Sequence, residues 1–594
     1  MTASGTSVTA CLLLLLAAAS ANSPCPTCDP LAPREAKHLW QVESKNGLLN
    51  GELVKGADSI EYYSFKGIPY AKAPLGELRF RNPQPAEPWH GSVRPALAEG
   101  SKCVQIAVPS MQPEGAEDCL FLNVYSRWLG PAKLPVMVYI HGGGFVYGSG
   151  TLAENGPEFL IYHDVVLVTL NYRLGAFGFL NLDNDDIPGN MGLKDQVLAL
   201  KWVQENIAAF GGDPSKVTIF GNSAGAVSVH YHTLSRASQG LFRAAIMQSG
   251  NALANFGYQE THLDMAKRLS EQLGEKAAGS DKAKIAETLR RASSKEILNA
   301  NLAMIQADPQ LQLGLPAFCP SPERRAAGAQ SKFLTRDPES LVRVPEVAAV
   351  PTIAGLSGNE GHFAFAFGGL AGKPEVVAAL KQNPALLLPT NLTPFPDTVK
   401  VLGLNGKPAL SAEQAARVGQ DLKDEYKLDG DNAGFIQFYG DLFTAMPTHR
   451  LVNLSLAHHG PEAPLFLYHF LEDGDYNWGK VSFGVSSKEA THTDELGYLM
   501  RITSPATFPT QTLFDQNAAS SRTLCSLTKL WTNFAKVSNP LLEGWEPADA
   551  RAAALAAPYA KLSADTLGRL GEGLGGKAMA LWDRVFALTR TNSN

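Results

Sequence analysis

Short apolar runs, four to six residues long, recur along the chain without the polar alternation of half-exposed strands. Strands buried on both faces of a sheet have this pattern, because neither face meets water. The runs are Val136–Ile140, Val165–Leu170, Val217–Phe220, Ala244–Met247, Pro351–Ala354 and Leu465–Phe470. They predict the central strands of a mainly parallel sheet.

Helical patterns separate several of these runs. In residues 193–210, apolar side chains recur at steps of three and four, and Gly211-Gly212 follows as a stop signal. Residues 262–300 predict two more amphipathic helices, and residues 40–68 an N-terminal antiparallel hairpin. Strands alternating with helices indicate an α/β fold, with helices on both faces of the sheet. No repeat or linker interrupts the pattern, so we expect a single domain over residues 40–590.

The first residues have the pattern of a secretory signal. The segment Cys11–Ala19 is apolar but too short to span a bilayer, and Ala19-Ser20-Ala21 matches a small-x-small cleavage site. A buried core helix is the alternative, which the extreme N-terminal position disfavours. We therefore expect a signal peptide at residues 1–21, a leader at 22–39, and secretion of the mature chain.

Composition and charge exclude several classes of function. Of the 594 residues, 45% are hydrophobic and 18% charged, as in ordinary globular proteins. The net charge of −6 leaves no basic excess to neutralise phosphates, so nucleic acid is not an expected partner. Beyond the N-terminus no apolar run reaches 18 residues, and we expect no membrane span. No zinc, nucleotide or flavin motif is visible, and no metal or other cofactor is expected.

The first candidate for chemistry is the segment Gly221-Asn222-Ser223-Ala224-Gly225. A strand pattern precedes it and a helical pattern follows, which is the setting of a nucleophile elbow. The flanking glycines allow the sharp turn that exposes the Ser223 hydroxyl. The alternative is a glycine-rich turn in which Ser223 only caps a helix.

The second candidate is His141-Gly142-Gly143-Gly144-Phe145, directly after a predicted strand. Three consecutive glycines cost conformational entropy, so they favour a place where backbone N–H groups approach another group closely. The N–H groups of Gly143, Gly144 and Ala224 could converge on an oxyanion. A flexible loop or a phosphate nest is the alternative, but the Lys-Ser/Thr of a P-loop is missing. We expect His141 itself to be structural.

A serine nucleophile needs a base and an acidic group that orients the base. In an elbow of this type the chain order is Ser, then Asp or Glu, then His. Glu360 follows a predicted strand between two glycines, and His492 lies 132 residues later. From the residues alone, five other histidines remain candidates for the base: His362, His449, His458, His459 and His469.

Eight motifs in order resemble the type-B carboxylesterase, cholinesterase and lipase family, which has the α/β-hydrolase fold. The resemblance extends over residues 40–590. The motifs that carry it are Phe65–Ala71, Leu78–Phe80, Glu117–Val124, His141–Phe145, Asn171–Arg173, Gly189–Gln196, Phe210–Pro214 and Gln248–Gly250. The resemblance implies that Ser223 is the nucleophile, Glu360 the acid and His492 the base. It also implies an oxyanion hole at Gly143, Gly144 and Ala224.

Two departures from the family pattern concern the site. Many members carry Glu before the serine, whereas this chain has Asn222. In cholinesterases the cysteine-bounded loop holds a Trp for quaternary ammonium, but residues 104–118 contain no aromatic residue. Because cation–π recognition needs an aromatic face, we expect no cholinesterase activity and no partner for a choline headgroup in this loop.

The resemblance implies a secreted serine esterase that acts on small, uncharged, apolar carboxylic esters. The chain is similar to insect-type secreted esterases, the group of juvenile hormone esterases and odorant- or pheromone-degrading esterases. A general detoxifying carboxylesterase or a lipase is the alternative; no clear lid is seen, although residues 360–410 have room for one. A non-catalytic adhesion relative is disfavoured by the intact Ser, Glu and His. The oligomeric state is left open.

Cysteines and sequons fit an oxidising compartment. Cys103 and Cys119 lie 16 apart around a Pro- and Gly-bearing segment, which predicts a local disulfide, and the family has one there. Cys525 is expected to be a small buried hydrophobe with a free thiol. Cys25, Cys28 and Cys319 have no assigned role. The glycosylation sequons are Asn391-Leu392-Thr393 and Asn453-Leu454-Ser455.

Overall fold

The computed structural model describes residues 40–591, with short gaps. The gaps are 109, 261, 276–278, 280, 308–315, 325–331, 345–346, 348, 368–369, 389–409, 461, 516, 549–556, 568, 575 and 577. The predicted signal peptide, the leader with Cys25 and Cys28, and the Asn391 sequon therefore lie outside the described residues.

The described strands have two to eleven residues and extend from Trp40 to Glu572. They are β1 Trp40–Ser44, β2 Gly47–Lys55, β3 Glu61–Pro69, β4 Val93–Pro95, β5 Gln105–Ile106, β6 Pro113–Glu114, β7 Phe121–Ser126, β8 Leu134–Ile140, β9 Val166–Leu170, β10 Gly212–Asn222, β11 Ala244–Gln248, β12 Thr352–Ser357, β13 Leu465–Phe470, β14 Pro558–Leu562 and β15 Leu570–Glu572. All six apolar runs of the sequence coincide with strands, β8 to β13. The first three strands form the antiparallel arrangement predicted at the N-terminus.

One sheet of 13 strands organises the molecule, in the order β1-β2-β3-β7-β9-β8-β10-β11-β12-β13-β14-β15, with β4 beside β2. Strands from β9 to β14 in this order pair in parallel. The remaining neighbours in the order pair antiparallel, and β4 pairs with β2 in parallel. Along β8, Val136, Val138 and Ile140 join one hydrophobic core, while Met137 and Tyr139 join a second core on the other face. Both faces are therefore covered, which confirms the predicted α/β-hydrolase class.

Helices cover the sheet and fill the connections. They are α1 Glu158–Ile161, α2 Gly175–Phe179, α3 Met191–Asn206, α4 Ala224–Leu234, α5 Leu263–Gln272, α6 Lys282–Arg291, α7 Ser294–Ala307, α8 Pro338–Arg343, α9 Gly361–Phe367, α10 Pro374–Gln382, α11 Ala412–Glu425, α12 Asn432–Gly440, α13 Met446–His458, α14 Trp478–Phe483, α15 Ala519–Val537 and α16 Ala578–Thr591. Within the described residues, none is both long and apolar enough to cross a membrane.

Residues 262–300 hold three helices, not the two expected. Gly274 adopts φ +98° just after α5, and the Asp281 side chain accepts the N–H groups of Ala283 and Lys284 at the start of α6. Before α7, the Ser293 hydroxyl and the Glu296 carboxylate exchange hydrogen bonds with each other's N–H groups. That Ser-x-x-Glu capping box is visible in the sequence and marks the third helix.

The cysteines correct one expectation. Cys103 and Cys119 form the predicted disulfide. Cys525, on α15, is disulfide-bonded instead of a free thiol, and its partner lies outside the described residues. The expectation was wrong because an apolar helical setting does not distinguish a buried thiol from a buried disulfide. Cys319 is buried and free, and burial raises the pKa of its thiol.

The segment with room for a lid, residues 360–410, begins with α9 and α10. These helices belong to a third hydrophobic core, formed with α11 to α13 and α16. Residues 389–409 lie outside the described part of the chain. The described part of this segment therefore packs as a helical layer beside the sheet.

Candidate active site

Ser223 lies in the sharp turn between β10 and α4. Its backbone has φ +57° and ψ −124°, a conformation that is costly for a residue with a side chain. The Ser223 N–H donates to the Gln248 carbonyl of the neighbouring strand at 2.8 Å. This strained turn holds the hydroxyl at the carboxyl end of the parallel strands, as the elbow motif predicts.

Glycine is required at the elbow by close packing. A Cβ added to Gly225 would lie 2.1 Å from the Ile140 carbonyl oxygen, at the end of β8. The first turn of α4 can therefore pack against the end of β8 only because residue 225 has no side chain.

The glycine loop after β8 lies beside the elbow. Gly143 has φ +99°, and a Cβ there would be 2.0 Å from the Tyr147 carbonyl oxygen. Gly143 and Gly144 line the same cavity as Ser223. Ala224, the third predicted N–H donor, is the first residue of α4.

His141 has a structural environment, as expected. Its ring stacks on Tyr172 with centroids 4.4 Å apart, and Nδ1 lies 2.8 Å from the Gly142 carbonyl oxygen. Burial lowers the pKa of His141 to about 4, so the ring is neutral at physiological pH. Its carbonyl oxygen accepts the Tyr172 hydroxyl.

Glu360 and His492 are brought together. Oε2 of Glu360 lies 2.6 Å from Nδ1 of His492, and both side chains are almost fully buried. Oε1 of Glu360 accepts hydrogen bonds from the Ser249 hydroxyl and the Ser357 N–H, both at 2.6 Å. The carboxylate is thus fixed on one side by the sheet and directs its other oxygen at the imidazole.

The other candidate histidines lie elsewhere. Of the described histidines, only His141 and His492 line the cavity. His449 pairs with Asp583 at 2.9 Å, and His469, on β13, packs against Tyr559 on β14. Of the six histidines that the sequence leaves open as the base, His492 is the one whose ring nitrogen lies within hydrogen-bond distance of Glu360.

Sequence analysis missed a second carboxylate behind the site, that of Glu495. Its side chain is fully buried, and Oε1 accepts the amide N–H groups of Asn222 at 2.6 Å and Gln248 at 3.0 Å. Burial, with the nearby Glu360 charge, raises the pKa of Glu495 to about 7. Asn222 supplies a donor where a Glu would place a second carboxyl against Glu495. Glu495 stands three residues after His492, but nothing in the sequence pattern shows that it contacts Asn222.

The cavity that Ser223 opens into has a volume of about 440 Å³. Seven aromatic side chains line it: Tyr139, Tyr147, Phe256, Phe363, Phe443, Trp478 and Phe483. The cysteine-bounded loop contributes Gln105, Val108 and Glu114 and no aromatic ring. The loop therefore offers a cation no aromatic face, as expected, and the aromatic rings of the cavity come from other segments.

Three charged side chains, one of them from the loop, lie together on one wall of the cavity. Lys102 Nζ is 3.5 Å from Glu114 Oε1 and 3.4 Å from Glu154 Oε1. Burial raises the pKa of Glu154, and Lys102 opposes that shift. The described residues contain no cluster of three His, Cys, Asp or Glu side chains that could hold a metal ion.

Comparisons with known proteins agree with this geometry. The family model described as the carboxylesterase family matches residues 39–568. The chain is 35% identical to juvenile hormone esterase of Tribolium castaneum over 532 residues, 86% of each protein. It is 33% identical to esterase FE4 of Myzus persicae over 528 residues, 86% of each.

One solved structure is similar to this chain over nearly the whole length of both proteins. It is juvenile hormone esterase from Manduca sexta with OTFP covalently attached. The two chains superpose with a TM-score of 0.79 at 30% identity, covering 92% of this chain and 99% of the other.

Proposed function

Since the chain belongs to the carboxylesterase family and is a carboxylic ester hydrolase, we propose that Ser223 is its nucleophile, His492 its base and Glu360 the acid that orients the base. The observation that carries the proposal is the 2.6 Å contact between His492 Nδ1 and Glu360 Oε2, in the cavity that Ser223 also lines. The strained elbow at Ser223 supports it independently.

The proposed mechanism follows from the hydrogen bonds. A proton on His492 Nδ1 donated to Glu360 leaves Nε2 free to take the proton of the Ser223 hydroxyl. Ser223 attacks the ester carbonyl, and the backbone N–H groups of Gly143, Gly144 and Ala224 stabilise the oxyanion. The imidazolium then protonates the leaving alcohol. Water hydrolyses the acyl-enzyme by the same steps, and no cofactor takes part.

The proposed substrates are uncharged, apolar carboxylic esters of small molecules. A cavity of about 440 Å³ lined by seven aromatic rings suits an apolar acyl or alcohol group. The names of two relatives support juvenile hormone esters as first candidates, and odorant or pheromone acetates are of the same chemical kind. The relative named esterase FE4 supports the alternative of a general detoxifying carboxylesterase.

We further propose that the enzyme is secreted after removal of residues 1–21 and is glycosylated. Asn453 lies exposed on α13, where a glycan can leave the surface. Asn391 is proposed from its sequon alone.

The test is covalent titration together with turnover. OTFP or an organophosphate should attach to Ser223 of the secreted protein, located by peptide mass. Ser223→Ala and His492→Asn should each lower kcat by about a thousandfold or more. Ser215→Ala, on the exposed far end of β10, and His362→Asn should leave kcat within about twofold; His362 is neither hydrogen-bonded to Glu360 nor lining the cavity. Full activity of Ser223→Ala, or label on another residue, would contradict the proposal.

The substrate panel should contain a juvenile hormone, long-chain alcohol acetates, short aryl esters, a choline ester and emulsified triglyceride. Comparison of kcat/KM among these esters distinguishes the proposed substrate class, uncharged apolar esters, from its alternatives. A preference for emulsified over dissolved esters would favour a lipase. Similar values for all dissolved neutral esters would favour a general esterase.

A further inference from the structure

Asp494 is a buried carboxylate that connects two walls of the cavity. Its Oδ1 accepts the Lys480 N–H at 3.0 Å, in the first turn of α14. Its Oδ2 accepts the Asn477 side-chain amide at 2.7 Å and the Thr491 N–H at 2.6 Å. The first N–H groups of a helix have no acceptor within the helix, so Asp494 completes α14 from outside. The same carboxylate holds the backbone next to His492.

Helix α14 also packs directly on that backbone. A Cβ added to Gly479 would lie 2.1 Å from the His492 carbonyl oxygen and 3.0 Å from Oδ1 of Asp494. Two backbone segments can approach this closely only because residue 479 has no side chain.

The side chains of α14 face the cavity. Trp478, Val481 and Phe483 line it. The Phe483 ring contacts the Phe363 ring edge-on with centroids 4.7 Å apart, and Phe363 lies at the same distance from the His492 ring. The α14 wall is therefore connected to the imidazole by a chain of ring contacts as well as by backbone packing.

We propose, on the basis of the triad assigned above, that Asp494 is a positioning residue that couples the α14 wall to His492. An ester arm that packs on Trp478 and Phe483 then helps to hold the imidazole in its reactive position. Contacts with a remote part of the substrate accelerate the reaction only if they act in the transition state. Asp494 provides the mechanical link by which such contacts reach the base.

Asp473, which precedes α14 in the chain, offers a matched control. Asp473 forms an ion pair with the Lys480 side chain, whereas Asp494 binds the Lys480 backbone. Asp473 is half-exposed and does not line the cavity. Asp473→Asn therefore removes a negative charge close to α14 and leaves the link to His492 intact.

The experiment measures kcat and KM for two ester series, one with a lengthening acyl arm and one with a lengthening alcohol arm. Rates are expressed per active site titrated with an organophosphate, so that only folded enzyme counts. For the arm that reaches α14, wild-type kcat should rise with length. In Asp494→Asn the new NH₂ group cannot accept an N–H, and we expect kcat to become independent of length, about tenfold below wild type for the longest arm. KM should still fall with length, and Asp473→Asn should match wild type.

A second variant keeps the test decisive if Asp494→Asn does not fold. Gly479→Ala forces α14 away from His492 while leaving every carboxylate in place, and it should flatten kcat in the same way. An equal loss of kcat for short and long arms in these variants would show a purely structural role and overturn the proposal. So would an unchanged dependence of kcat on arm length, or a wild-type kcat that does not rise with either arm. Wild-type protein that turns over no ester would instead overturn the proposed function itself.

Discussion

Two buried carboxyl groups, those of Glu360 and Glu495, lie near the His492 imidazole and have different hydrogen-bond partners. Glu360 is fixed by Ser249 and Ser357 and faces His492, whereas Glu495 faces the amides of Asn222 and Gln248. Burial and, to a smaller extent, repulsion from Glu360 raise the pKa of Glu495 to about 7. Near neutral pH the site therefore holds a carboxyl group whose charge depends on pH, close to the proposed base.

The raised pKa of Glu495 leads to a prediction about how the free energy of unfolding depends on pH. The folded-state pKa of about 7 exceeds the ordinary value of 4.5, so the stability that Glu495 contributes below pH 4.5 is lost as the pH rises through 7. Glu495→Gln removes this loss, which is at most roughly 3 kcal/mol. We expect the free energy of unfolding, from urea titrations at pH 5 and pH 8, to fall less with pH in the variant than in wild type. Exposed Glu489→Gln is the control, and an identical pH dependence in all three proteins would contradict the prediction.

Lys102 makes a prediction for selectivity. Its ammonium lies between the Glu114 and Glu154 carboxylates on the cavity wall. Lys102→Met removes the positive charge and leaves two carboxylates near the aromatic rings, an arrangement that attracts a cation. We expect the ratio of kcat/KM for a choline ester to that for a matched neutral ester to rise about three- to tenfold. The exposed Lys45→Met is the control, and a ratio that does not change would exclude these charges from substrate selection.

Among the secondary-structure elements, the sequence predicts the strands whose side chains are buried on both faces of the sheet. Strands β8 to β13 are continuous apolar runs because both of their faces are buried. Strand β7 was not predicted, because Asn123 lies in its middle. The Asn123 side chain is buried and satisfied by the Gly67 N–H, the Gly150 carbonyl and the Thr169 hydroxyl, partners that only the fold supplies.

The candidate site likewise has a part that the sequence predicts and a part that it does not. Ser223 and the glycine loop are local motifs, so their elements and their roles follow from neighbouring residues. The contacts of Asn222 with Glu495, and of Asp494 with α14, join segments that lie apart in the sequence. No spacing rule predicts such pairs, and the aromatic lining of the cavity was missed for the same reason.

The elbow makes a prediction at this scale. Gly225→Ala would place a Cβ 2.1 Å from the Ile140 carbonyl oxygen, which forces α4 and β8 apart. Overpacking of this kind costs about 1–3 kcal/mol, and the displaced helix start should also lower kcat at least tenfold. Thermal unfolding and turnover per titrated site measure the two effects. Gly460→Ala, with open space around it, is the control, and equal stability and activity of both variants would contradict the packing argument.

At the scale of the whole molecule, the states of the cysteines lead to a prediction of the disulfide connectivity. The Cys103–Cys119 bridge closes a loop of 16 residues, and a bridge of that size stabilises by about 3 kcal/mol in the chain-entropy model. Cys525 is bonded and Cys319 is free. We expect peptide mapping without reduction to find Cys103 joined to Cys119, Cys319 alkylated only after unfolding, and Cys525 joined to Cys25 or Cys28. Recovery of Cys525 as a free thiol would contradict the last assignment.

The residues of the site follow strands that are far apart along the chain, and Glu360 and His492 are 132 positions apart. During synthesis at about 5–20 residues per second, the ribosome therefore adds His492 roughly ten seconds after Glu360. In the proposed mechanism, the nascent polypeptide carries the elbow and Glu360 during that interval but not the base. It therefore gains catalytic competence only once His492 has been synthesised.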